Sequence, residues 1–103
     1  MTHLMEKIDI LEIDEKNQDI IINDFFTVKY LYFEAGKGLL AQTEQAMATI
    51  QVVEGRISFV FYGKEEKTCM MQKDTILAFD AREKHLIIAH ENSKVLITII
   101  PIK

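Results

Sequence analysis

Apolar and polar positions along this chain repeat with a period of two, in short runs separated by small polar clusters. In residues 56–62, Ile57, Phe59 and Phe61 alternate with Ser58, Val60 and Tyr62, the pattern of a strand with two distinct faces. Residues 25–34 read as a longer strand, with Phe26, Val28, Tyr30 and Tyr32 on one face and Phe25, Thr27, Lys29, Leu31 and Phe33 on the other. Further strands are predicted over 7–13, 20–22, 39–45, 48–53, 68–71, 75–79, 85–89 and 95–100. Turn residues mark the breaks: Asn23-Asp24, Ala35 to Gly38, Glu54-Gly55, Lys73-Asp74 and Asn92 to Lys94, each rich in the types that tolerate tight backbone. Residues 14–19, 63–67 and 80–84 read as solvated polar loops, and Pro101 ends the last run because it has no N–H to donate.

Several runs are apolar on both faces, among them HLIIA at 85–89 and VLITII at 95–100. A sheet wetted on one side would alternate cleanly, so both faces here must be covered. Two sheets packed into a closed barrel cover one face, and a subunit interface covers the other. The expectation is an all-β, single-domain jelly-roll β-barrel that forms a homodimer. Residues 1–25 would be amino-terminal strands contributing to the dimer interface, and 26–103 the barrel.

Composition narrows the partners. The 103 residues are the size of one domain. The net charge of −4 and the pI near 5.3 describe an acidic protein, and Arg56 and Arg82 stand alone among scattered lysines. With no basic stripe to meet a phosphate backbone, nucleic acid is not an expected partner. No apolar run approaches the ~20 residues that span a bilayer, and no cationic stretch leads into a long apolar one as in an export signal. The single cysteine, Cys69, forms no internal disulfide and suits a reducing cytoplasm; a buried or half-buried packing role is expected for it. Met47, Met70, Met71, Phe59, Phe61 and Phe79 are candidates for core or interface, with a ligand pocket as the alternative.

The chemistry-bearing stretch is GKGLLAQTEQAMATIQVVEG, residues 36–55. Gly36 is followed by five residues, then Gln42-Thr43-Glu44, three residues, Ala48, six residues and Gly55. This spacing resembles the first motif of the cupin superfamily, in the small single-domain, RmlC-like form. There the pattern is Gly, five residues, His-x-His, three or four residues, Glu, six residues and Gly. The three ligand slots hold Gln42, Glu44 and Ala48 in this chain. The second motif is similar in outline: a turn at Lys73-Asp74, a strand, a loop and His85. Asp80 and Arg82 stand where the family has Pro and Gly, and Ala89 where it has Asn.

Strand parity places Gln42 and Glu44 on one face. The resemblance implies a double-stranded β-helix in which that face and His85 look inward, with His90 on the opposite parity. Gln42, Glu44 and His85 are thus the candidate ligand-binding residues, Glu44 and His85 the candidate catalytic pair, and all three the candidate metal ligands. Divalent first-row metals in such barrels want two or three imidazoles and a carboxylate, so no cofactor is expected, although weak divalent binding is open. The leading expectation is a small-molecule-binding barrel without the usual metal-dependent catalysis, in which the three polar groups satisfy one another. One alternative is a metal-dependent isomerase, epimerase or dioxygenase-like enzyme. Another is metal-free proton transfer by Glu44 and His85 within hydrogen-bond reach. The last is a stand-alone sensor or interaction domain.

Overall fold

The computed structural model describes residues 5–13 and 17–102; His3 and residues 14–16 of the loop expected at 14–19 lie outside them, and Gln18 and Asp19 of that loop begin the first strand. Among the described residues nine strands follow in order: β1 Gln18–Ile22, β2 Thr27–Phe33, β3 Gly38–Gln42, β4 Ala46–Glu54, β5 Arg56–Tyr62, β6 Glu66–Gln72, β7 Thr75–Asp80, β8 Lys84–Ala89 and β9 Ser93–Pro101. They form a five-stranded sheet in the order β1-β2-β9-β4-β7 and a four-stranded sheet in the order β3-β8-β5-β6. All strand pairs are antiparallel. The order follows chain sequence only in part, because consecutive strands cross repeatedly from one sheet to the other. That is jelly-roll topology.

The core lies between the sheets and follows the period-two parity of the sequence. Leu31 and Phe33 enter it from β2, Ala48, Ile50 and Val52 from β4, Ile57 and Phe59 from β5, Ile87 and Ala89 from β8, and Val95 and Ile97 from β9. Register ties these positions together: Ile50 pairs with Ile97, and Phe59 with Ile87. Full burial of a side chain such as Ile50 contributes about 1.5–3 kcal/mol relative to exposure.

Three expectations are corrected. Residues 7–13 form no strand. Ile10–Glu12 make one turn of 3-10 helix, started by Asp9, whose carboxylate accepts from the Leu11 N–H at 3.0 Å; a capping aspartate outweighs weak apolar alternation. Cys69 is exposed, not packed, because β6 is an edge strand whose residues, except Met71, face solvent. The sheets also do not close into a hydrogen-bonded barrel. β6 and β7 are each bonded on one side only, and a groove of about 360 Å³ runs between them, lined by Phe59, Phe61, Lys67, Cys69, Leu77 and Phe79 among others.

A small polar cavity between the two sheets

β3 is held against β8 at closest approach. A Cβ on Gly38 would collide with the Ile87 carbonyl oxygen and lie 2.8 Å from its carbon, so the backbone contact requires glycine. Around it, the Gly36 N–H donates to Ala89 O at 2.8 Å and the Ala89 N–H to Lys37 O at 2.7 Å. This pairing, with an irregularity after Leu39, carries Gln42 opposite His85. The chain then turns toward the loop after β7. There the Glu44 N–H donates to Ala81 O at 2.8 Å and the Ala81 N–H to Ala46 O at 3.0 Å. Gln42, Glu44 and His85 come in this way to line one cavity of about 120 Å³.

His85 is 4% exposed. Its Nδ1 lies 2.9 Å from the carbonyl oxygen of Glu83. A carbonyl only accepts, so Nδ1 carries the proton, and in the neutral ring Nε2 keeps its lone pair. The ring is nearly parallel to Phe59, 5.8 Å between centroids at 18°, and edge-on to Phe79 at 4.8 Å and 61°. Hydrogen bond and aromatic walls together fix its orientation.

The loop that supplies the Glu83 carbonyl is held by an ion pair. Asp80 Oδ1 accepts from the Arg82 N–H at 3.0 Å and from its Nε at 2.9 Å, and Oδ2 accepts from a terminal guanidinium nitrogen at 2.7 Å. These bonds, the side-chain ones foremost, hold the Asp80 carboxyl below its ordinary 3.8, at about 2, and the same pairing raises Arg82. Where the resembled motif turns on Pro and Gly, this chain turns on a bidentate side-chain clamp.

The expected mutual satisfaction of Gln42, Glu44 and His85 is not found. Among the described residues no hydrogen bond joins any two of them, and His85 bonds to the Glu83 backbone instead. The expected Glu44–His85 bond is likewise not formed. Gln42 is exposed and Glu44 half-buried, so the mouth of the cavity lets both side chains be hydrated. Ala48 is 2% exposed and packed in the core. His90 does not line the cavity; its Nε2 lies 2.6 Å from Ser58 Oγ.

Lys29 is the lining residue that motif reading passed over. Its parity was legible, since it shares a face with Leu31 and Phe33, both in the core. A lysine on an inward apolar face was the signal. Leu31, Leu39, Phe79, Ile87, Ile97 and Ile99 supply the apolar walls.

Set against the imidazole-rich set that divalent first-row ions prefer, the cavity offers one imidazole, one carboxylate and one amide, and Lys29 lines it as well. Among the described residues no three His, Cys, Asp or Glu side chains are grouped to hold a metal ion.

No protein-family model matches the sequence, and no curated protein matches it. Solved structures do match in fold. An RmlC-like cupin protein from Desulfovibrio desulfuricans superposes with a TM-score of 0.81 at 21% identity, covering 97% of this chain and 100% of its own. The cupin domain of Schizosaccharomyces pombe Cnp3 gives 0.80 at 13% identity, over 93% of this chain and 69% of its own. A cupin superfamily protein from Desulfitobacterium hafniense gives 0.77 at 14%, over 92% and 84%. The chain therefore has the fold of a small cupin jelly-roll domain. Within that fold the polar residues of its cavity are Lys29, Gln42, Glu44 and His85.

Proposed function

We propose that this protein binds a small molecule in the cavity between its sheets and does so without a resident metal. The observation that carries the reading is the cavity itself: four polar side chains among its lining, apolar walls beside them, and no hydrogen bonds among Gln42, Glu44 and His85 that would close it. Groups left unpaired at a concave surface are available to a ligand. Pairing of two chains through exposed apolar positions such as Met47, Ile76 and Ile100, with residues 1–25 contributing, and residence in the cytoplasm belong to the same proposal.

The test is an NMR titration of the His85 ring with a small-molecule fragment set, run beside elemental analysis of protein purified without chelator. Saturable shifts at His85 in metal-poor protein support the reading. Stoichiometric Fe, Mn, Ni, Zn or Cu that disappears in His85→Ala overturns it. A second reading, proton transfer on the bound molecule, is favoured by one arrangement: the Glu44 carboxylate and His85 Nε2 share a cavity without bonding to each other. Deuterium exchange into a bound ligand, lost in Glu44→Gln, is the result that would establish it.

A further inference from the structure

Resting on that reading, we infer that the ligand is a short-chain carboxylic acid with a hydrogen-bond donor, hydroxyl or ammonium, on a neighbouring carbon, its carboxylate anchored on Lys29 and its donor received by Glu44. Lys29 stands on the inward face of β2. Its register partner on β9 is Ile97, and Ile97 and Ile99 line the cavity with it. A half-buried lysine in such a place packs its stem on apolar surface and needs water or an anion for its head. Among the described residues the ion pairs are Arg82–Asp80 and Lys94–Glu54. Lys29 and Glu44 thus line one cavity as a cation and an anion that do not pair with each other.

Two opposite charges kept apart around a common space are complemented by a molecule with an acceptor at one end and a donor at the other. Gln42 adds amide donors to the same cavity, and His85 Nε2 can accept a proton-bearing group or, once protonated, donate. Size sets the chain length. About 120 Å³ is well below the ~300–1,000 Å³ of pockets for drug-sized ligands, so the ligand has only a few heavy atoms and no nucleotide fits. The walls formed by Leu31, Leu39 and Phe79 suit a short alkyl tail.

The experiment titrates the full chain with lactate, alanine, propionate, lactamide and propane-1,2-diol, following His85 and Phe79 resonances. Lactate or alanine is expected to bind best. Propionate, which lacks the donor, and lactamide, which lacks the charge, should each be weaker. Lys29→Met keeps the stem and removes the charge; it should weaken the preferred acid roughly ten- to a hundredfold, as expected for a charge-assisted bond, while Lys29→Arg retains most of the affinity. Glu44→Ala, which removes the acceptor, should abolish the preference over propionate, and Glu44→Gln, whose amide oxygen still accepts, should keep part of it. If lactamide binds as well as lactate, or Lys29→Met binds both acids unchanged, the carboxylate assignment fails while the cavity reading stands. If no probe, charged or neutral, shifts either resonance, both fail.

Discussion

His85 Nδ1 donates to the backbone oxygen of Glu83 at 2.9 Å, and this bond decides which ring nitrogen serves the cavity. The Glu83 carbonyl is in turn held by a turn in which its own N–H donates to Asp80 O at 3.1 Å. The Asp80–Arg82 clamp closes the same turn. A side-chain ion pair at the surface therefore sets the orientation of a buried imidazole three residues further on.

The clamp has a pH signature. The Asp80 carboxyl is depressed in the folded chain, from 3.8 to about 2, so its contribution to stability is complete above the unfolded value and is lost as pH falls toward the folded one. The difference in thermal midpoint between wild type and Asp80→Asn is expected to hold near neutrality, shrink between pH 3.8 and about 2, and vanish below. Because the pair is partly exposed and screened by solvent, the difference is small. A difference that persists unchanged through that interval would contradict the assignment.

Loosening the same turn from its other side should disturb His85 without unfolding the protein. In Arg82→Ala the Asp80 carboxylate keeps the backbone N–H of residue 82 but loses the guanidinium. The His85 ring resonances should broaden or shift while those of Ile50, deep in the core, stay in place. Unchanged His85 spectra would show that the Glu83 carbonyl is held without the clamp.

Gly55 is a fixed point of the fold. Its φ is +95°, and an added Cβ would strike Ser93 Oγ and lie 2.6 Å from Asn92 O. The left-handed backbone alone costs a non-glycine residue about 1–2 kcal/mol, and the collision adds to it. Gly55→Ala is expected to lose at least about 2 kcal/mol in denaturant unfolding. An alanine variant as stable as wild type would place the β4–β5 hairpin in another register.

Ala48 fills a ligand slot of the resembled motif with a methyl group 2% exposed in the core. Glutamate there buries an unpaired carboxylate, so Ala48→Glu alone is expected to lose several kcal/mol, about 3 or more. Zn²⁺ should not restore it. With Gln42→His and Glu44→His added, Zn²⁺ should raise the thermal midpoint by binding the folded state. If the triple variant gains no metal affinity over wild type, the three positions do not converge as the motif spacing implies.

The parts of the fold that were legible are those governed by local chemistry. Gly55 and the Lys73-Asp74 turn are readable because only certain residues accept positive φ, which Asp74 adopts at 70°, and period-two alternation marks the strands between such turns. Spacing also brought Gln42, Glu44 and His85 to one cavity. What escaped depends on reach and on distant pairing. Whether Glu44 touches His85 turns on side-chain length and on the competing Glu83 carbonyl, neither of which spacing encodes. The open edge between β6 and β7 is a property of strands that never pair, so no residue announces it. Lys29 was visible by parity, yet it lies outside the motif of residues 36–55.

Phe79 lines both the groove between β6 and β7 and the cavity that holds His85. Its ring is a wall common to both spaces and packs on Phe59 and His85. A smaller residue at position 79 would thin that wall from the apolar, cysteine-bearing side.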